Sequence, residues 1–387
     1  MRNQKRRRKL NIKRLSICII ILVLITTFIL NINNIRKIYL SKTTGYDKNT
    51  IETFLENNTY NDIKDYKYSK TLEKIINTEY YNEIYLKEYL NINYIDNKSF
   101  LSNINSLLDK GYNSNDINDI YNNLSDKSIA TLLDNNYVKD ITNIISINYF
   151  KEDNLERYIN YYQKEELDIE TTLLYVNIGL DNEYYTNVTD IEDDGDIQVL
   201  VNKYYKLDNT FVPEELEKVS YGSGQLKKEA RIAFDEMCAA AKKEKIYIYG
   251  GSGYRSYSHQ LNLYNNYVAQ DGKAEADTYS ARAGHSEHQT GLAMDVLNGR
   301  WGFIEDTDKE YTWLINNSYK YGFILRYPEG KEKITGYMYE PWHYRYVGID
   351  LATEITKENL TYEEYIAKKK LTKRLRYYTI KYVSNLE

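Results

Sequence analysis

Two cysteines, three prolines and four histidines are all that 387 residues contain of these types. Cys18 lies in an apolar run near the N-terminus and Cys238 far downstream in a segment of helical periodicity, so the spacing offers no disulfide framework. Ile17 is not small and most of the apolar run lies beyond Cys18, which excludes a lipobox. Residues 40–195 hold no proline, histidine or cysteine and little glycine, so no metal or thiol chemistry is expected there. Phenylalanine is also short, 8 against 43 tyrosines; compositional bias of an AT-rich coding sequence accounts for this, with a tyrosine-based carbohydrate surface as the alternative. Acidic residues are missing from the N-terminus. Eight of the 51 Lys and Arg fall between residues 2 and 14, leaving 43 against 56 Asp and Glu in the rest, a balance that argues against a nucleic-acid partner for the main body.

Those cations lead into a long apolar run, Leu15 to Leu30. Extended to Ile32 it would be ~27 Å long as a helix at ~1.5 Å per residue. That nearly matches a hydrocarbon core of ~30 Å. The preceding cations place the N-terminus in the cytoplasm and the remainder of the chain outside the membrane. A cleaved signal peptide is the rival, but Asn31-Ile32-Asn33-Asn34 offers no small-residue cleavage site. The expectation is a cytoplasmic segment over 1–14 and an uncleaved transmembrane anchor over 15–32.

Between 40 and 190, apolar residues recur at three- and four-residue spacing, as at Leu101, Ile104, Leu107 and Leu108, which predicts short amphipathic helices. Leu107-Leu108-Asp109-Lys110-Gly111-Tyr112 returns 25 residues later as Leu132-Leu133-Asp134-Asn135-Asn136-Tyr137, and Phe54 to Tyr60 is a looser copy. Degenerate helical repeats and an irregular helical spacer are both compatible with this pattern. An acidic, turn-prone stretch at Asp190–Asp196 marks a boundary. Beyond it the pattern is mixed. Strands are expected at 198–202, 246–249, 323–327 and 342–347, and helices at 226–244, 256–270 and 308–321. Gly250-Gly251-Ser252-Gly253 is no phosphate loop, because no Gly-Lys-Ser/Thr comes after it. Thr361 and Glu364 form a capping box for a last helix, and 367–387 is a basic tail.

The chemistry concentrates in two short segments. His288 and Asp295 stand seven apart around Gly291, and Glu340 and His343 stand three apart around Pro341. Two imidazoles and one carboxylate would make a three-ligand zinc site with a fourth position open, the pattern of a catalytic site. A second carboxylate, Glu340, would be the general base. Without His343, the His288–Asp295 pair would more often be a structural hydrogen bond. His259 and His285 read as surface or loop residues.

Four ordered segments sharpen this. Ser252-Gly253-Tyr254-Arg255-Ser256-Tyr257 with Gln260, Ser286 to Asp295, Tyr321 to Pro328, and Glu340-Pro341-Trp342-His343-Tyr344-Arg345-Tyr346 resemble the VanY-type D-alanyl-D-alanine carboxypeptidases of the M15 group of zinc peptidases. The resemblance covers about 197–366 and not 40–190. It implies an α+β domain of the M15, hedgehog-like type, a small antiparallel sheet with flanking helices. It implies Zn²⁺ on His288, Asp295 and His343, Glu340 as base, Arg255 as anchor of the substrate and its developing charge, and Gln260 and Ser286 in substrate recognition. Ala283 departs from the proline usual in relatives, which loosens a loop without removing a ligand. The implied partner is a peptidoglycan stem peptide. An L,D-carboxypeptidase acting on tetrapeptides, an endopeptidase and a wall-binding pseudoenzyme are the alternatives.

Overall fold

A computed structural model of the chain describes residues 12–191 and 196–368. Residues 1–11, 192–195 and 369–387 lie outside the described residues, and with them most of the expected cytoplasmic segment and basic tail. The chain divides into two compact units, 1–145 and 146–387.

The first unit begins with a 32-residue helix, Ile12–Thr43. Its apolar side chains, among them Ile17, Leu22, Leu24 and Phe28, are exposed. Among the described residues it is the one helix long and apolar enough, by length and composition, to cross a membrane. It does not end where the apolar run ends. Leu40 is fully buried, Arg36 lies 4.9 Å from the Tyr60 ring centre, and Lys37 pairs with Glu52. Short helices come next, among them Lys48–Glu56, Phe100–Lys110, Ser114–Asn123 and Asp126–Asp134. Their ends are written in the sequence. Asp47 accepts from the Thr50 amide, Asn113 and Asp116 form a reciprocal capping box, and Gly111 closes its helix at φ 108°. Ile104, Leu107, Ile117 and Leu132 are buried without residual exposure. Several bonds join successive helical segments: Ser69 N–H to Tyr46 OH, Lys110 Nζ to the Asn135 carbonyl, and Val138 N–H to Tyr112 OH. These partners lie 23 to 26 residues apart, close to the spacing of the sequence motif.

The helical stretch expected as one region over 40–190 is shared between the units. Helices Leu155–Glu165 and Ile169–Ile178 belong to the second. The reason lies just after them. Tyr184 donates to the Lys333 carbonyl at 2.9 Å, and the Lys203 ammonium sits 4.5 and 4.7 Å from the ring centres of Tyr184 and Tyr337. Strand β1 (Thr189–Ile191) pairs in parallel with β2 (Tyr205–Leu207), and β3 (Leu216–Lys218) pairs antiparallel with β4 (Gln225–Lys227). The central sheet is β5 (Tyr249–Ser252), β6 (Ala293–Leu297), β7 (Phe323–Leu325) and β8 (His343–Tyr346), antiparallel throughout in the order β5-β6-β8-β7. Helix Lys228–Lys243 lays Ala230, Phe234, Met237 and Ala241 into the core, with Phe234 edge-on to Phe323 at 6.0 Å. From β1 onward the second unit is thus α+β, small sheets with flanking helices.

One expected strand is absent, and the one expected at 246–249 lies instead at Tyr249–Ser252. Residues 198–202 form no ladder, although Val199 and Val201 are buried. The carbonyls of Ile197 and Val199 accept instead from the Arg345 guanidinium, the Asn202 N–H donates to the Tyr205 carbonyl, and the Asn202 side-chain amide donates to Glu363. Side chains have taken over the bonding that strand pairing would supply. The expected capping box holds: the Thr361 amide meets Glu364 at 2.7 Å and the Glu364 amide meets Thr361 Oγ1 at 3.2 Å, opening a helix over 362–368.

Candidate metal centre and catalytic cleft

Sheet register brings the first two groups together. Asp295 on β6 is the direct partner of His343 on β8, and on its other side of Ser252 on β5. His288 arrives from a short 3-10 turn, Glu287–Thr290, that ends at Gly291 with φ 68°. A Cβ on Gly291 would come within 3.0 Å of Leu216, so the left-handed turn and the close approach both require glycine.

His288 Nδ1 bonds the Gly253 carbonyl at 2.8 Å. Its Nε2 then faces Asp295 Oδ2 at 3.3 Å. His343 turns Nδ1 toward Asp295 Oδ1 at 3.3 Å and toward Glu340 Oε2 at 3.4 Å. One candidate ligand atom from each of His288, Asp295 and His343 lies within 4.8 Å of the others. Asp295 Oδ1 is buried and has no hydrogen-bond partner. Two imidazole nitrogens and an orphaned carboxylate oxygen converging at this range are a donor set that fits a divalent cation.

Electrostatics separate these groups. Burial pushes the His288 imidazole below its ordinary range. Burial pulls His343 the same way, but Asp295, Glu287 and Glu340 outweigh it and hold His343 well above. Burial raises the Asp295 carboxyl, and the two imidazoles more than offset that. Glu340 is held above the usual carboxylate range, chiefly by burial.

The second expected cluster also assembles. Arg255 donates to Gln260 Oε1 at 2.7 Å and to Ser252 Oγ at 3.0 Å, and stands 3.6 Å from Asp295 Oδ2. The Gln260 amide nitrogen donates to the Ala281 carbonyl at 2.7 Å, so Gln260 is engaged at both ends and fixes Arg255. Ser286 is buried, two residues before His288. These residues line one cleft of 340 Å³ together with Glu340, Tyr327, Phe303 and Trp342. The other two histidines stay out of it: His259 is exposed, and His285 bonds the Asn202 carbonyl and packs on Tyr185. Ala283 precedes Gly284, whose φ of 87° and carbonyl bond to the Leu207 amide hold that loop without a proline.

Sequence reasoning passed over a buried network behind the cleft. Glu287 Oε1 accepts from Arg326 Nε at 2.7 Å and Arg345 Nη1 at 2.9 Å. Arg326 also holds Glu363 through two bonds of 2.6 and 2.9 Å. Glu287, Arg326 and Arg345 are fully enclosed. Burial raises the Glu287 carboxyl, yet the two guanidiniums outweigh it and hold the group well below the usual range. The available signal was an arginine within each of two segments expected as strands, Arg326 in 323–327 and Arg345 in 342–347, since a charge enclosed there must find a buried partner.

The VanY family model, D-alanyl-D-alanine carboxypeptidase, matches residues 223–349, which contain His288, Asp295, Glu340 and His343. The putative carboxypeptidase YodJ of Bacillus subtilis is 39% identical over 211 residues, covering 49% of this chain and 77% of the relative. The bifunctional D-Ala-D-Ala dipeptidase and D-Ala-D-Ala carboxypeptidase VanXYC of Enterococcus gallinarum is 33% identical over 179 residues, covering 43% of this chain and 91% of the relative. A solved structure, the LdcB LD-carboxypeptidase, is 40% identical over 47% of this chain and 91% of that one, with a TM-score of 0.44. With relatives matched at these identities over most of their own length, the chain belongs to the VanY family of D-alanyl-D-alanine carboxypeptidases, which are metallopeptidases.

Proposed function

We propose that the protein removes the terminal D-alanine from peptidoglycan stem peptides in a zinc-dependent reaction, outside a membrane crossed by its N-terminal helix. The observation that carries this reading is the convergence of His288, Asp295 and His343 with Glu340 in one cleft. Zinc, when bound, would polarise the scissile carbonyl and lower the pKa of water toward ~7. His288, Asp295 and His343 would hold it. Glu340 takes the proton of the attacking water and passes it to the leaving amine. Its burial, which raises the carboxyl, favours that exchange over permanent ionisation. Arg255 presents a planar fork to the terminal carboxylate of the peptide, which an exopeptidase must recognise, and offsets the charge that develops on the oxygen of the scissile carbonyl. Gln260 and Ser252 keep that fork aimed. Ser286 forms cleft wall on the substrate side.

The anchor reading is supported by the unbroken helix Ile12–Thr43. Residues directly after its apolar run, Arg36, Lys37 and Leu40, pack within the first unit, so cleavage there would cut into a packed helix. The acidic balance of the remaining chain is consistent with a wall peptide and no nucleic acid.

The test is mass spectrometry of purified penta- and tetrapeptide stems after incubation with the detergent-solubilised full chain and one equivalent of zinc. The pentapeptide should lose one alanine, and a chelator should abolish the loss. Shortening of the tetrapeptide alone would establish L,D-specificity in its place. Release of cross-linked muropeptides would indicate an endopeptidase. No cleavage with zinc present would leave a wall-binding protein without catalysis.

A further inference from the structure

Each imidazole of the ligand cluster has a second nitrogen pointing away from the cluster. For His288 that nitrogen is Nδ1, held by the Gly253 carbonyl at 2.8 Å. For His343 it is Nε2, a buried atom with no hydrogen-bond partner. Facing it at 3.5 Å is Glu287 Oε2, also buried and also without a hydrogen-bond partner. The other oxygen of the same carboxylate is fixed by two arginines. Two enclosed polar atoms of opposite character left facing each other are a contact that has not closed. A shift of a few tenths of an ångström would make it an N–H···O bond.

We propose that Glu287 is the positioning residue for His343: it takes the Nε2 proton as a hydrogen bond, fixes the tautomer that leaves a lone pair on Nδ1, and so aims that nitrogen at the metal. This rests on the metal reading above and deepens it. The physical case is an asymmetry. A free imidazole offers either nitrogen to a cation, and a ring on a strand can turn about its χ angles. A carboxylate behind Nε2 removes both freedoms, and it makes Nδ1 a stronger donor. Arg326 and Arg345 explain how a bare carboxylate can lie in the interior. With Glu363 they form a neutral quartet of two acids and two bases, and the bidentate pairing to Glu363 sets the plane of Arg326.

The support reaches beyond the segment matched by the family model. Arg345 is tied to the carbonyls of Ile197 and Val199, and Glu363 lies in the helix over 362–368. Ile197, Val199 and Glu363 all lie outside residues 223–349. The metal ligand on β8 is therefore braced from two sides by chain outside that region, which is a physical reason for the domain to extend there.

The experiment compares wild type, Glu287→Gln and Glu287→Asp as full chains in detergent. Zinc affinity is measured by competition with a chromophoric chelator. NMR of the ¹⁵N-histidine-labelled, zinc-loaded protein tracks the His343 Nε2 proton, and metal-free melting monitors the fold. Wild type should bind one zinc and show a slowly exchanging, downfield Nε2 proton. Glu287→Gln should bind zinc about 10–100-fold more weakly and lose that proton signal. A purely structural role for Glu287 would lower the melting temperature and leave the proton signal of the folded fraction in place, which would overturn the proposal. Wild-type zinc affinity in folded Glu287→Gln would also overturn it. Should the glutamine variant not fold, Glu287→Asp decides. It keeps the charge between the arginines but withdraws the carboxylate from His343, and unchanged affinity there would refute the assignment. If wild type itself binds no zinc, the metal reading fails and the positioning role with it.

Discussion

The two units bury polar groups in opposite ways. Among the described residues of 1–145 the buried polar side chains are all hydroxyls of Ser and Thr, such as Thr50, Thr59, Ser69 and Ser114. Every buried charged side chain among the described residues lies in the second unit, including Lys203, Glu287, Asp295, Arg326, Glu340, Arg345 and Glu363. A buried hydroxyl is satisfied by a single backbone carbonyl, as Thr59 is by that of Phe54 and Ser69 by that of Tyr89. A buried charge requires a partner of opposite sign and further bonds, and it adds little net stability. The helical unit therefore spends its interior on packing. In the second unit much of the enclosed charge lies in or against the candidate cleft, where the proposed function calls for a cation and a substrate carboxylate.

Replacing Glu340 should sharpen that contrast most. Glu340→Gln keeps the shape of the side chain and removes its ability to take a proton. Turnover should fall about 10²–10⁴-fold. Zinc stoichiometry should stay at one, since Glu340 is no ligand in this reading. The melting temperature should hold or rise, because burial already disfavours the charged carboxylate. Steady-state kinetics and calorimetry on the same sample check both halves, and near-normal turnover would refute the base assignment. Leu107→Ala is the counterpart in the helical unit. Leu107 is wholly enclosed, so truncation should destabilise that unit by about 2–5 kcal/mol. Denaturant melts monitored by circular dichroism should show the shift, while kcat/KM per folded molecule stays at the wild-type value. A matching fall in kcat/KM would break the comparison.

The legibility of these sites in the sequence divides along the same line. His288, Asp295, His343 and Glu340 were legible because zinc chemistry admits few residue types and the chain has only four histidines. Their meeting was not legible, since it depends on the register that sets Asp295 against His343 across two strands far apart in sequence. Helix ends such as Asn113 and Thr361 were legible because capping is local. Residues 198–202 resemble a strand because alternating Val199 and Val201 carry the right burial pattern, while distant Arg345 and Glu363 claim the backbone and amide groups beside them. Glu287 stands inside the Ser286–Asp295 motif without a role visible in the sequence, because its arginine partners come from β8 and the residue just after β7.

A smaller effect tests whether the tyrosines of the helical unit are packing or composition alone. Tyr112 is buried, and its hydroxyl accepts from the Val138 amide at 3.0 Å, while its neighbour Tyr137 is half exposed. Tyr112→Phe leaves that amide without a partner and should cost about 1–3 kcal/mol; Tyr137→Phe should change stability by less than about 0.5 kcal/mol. The pH dependence supplies the internal control. Burial raises the Tyr112 hydroxyl above its ordinary value of 10.0. A group whose pKa is raised on folding contributes stability that is complete below its unfolded value and lost as pH climbs through the folded one. The gap between wild type and Tyr112→Phe should therefore be constant below about pH 10 and narrow above it. Urea melts across that range measure the gap, and one that stayed flat through the alkaline limb would mean that the hydroxyl is not held in the interior.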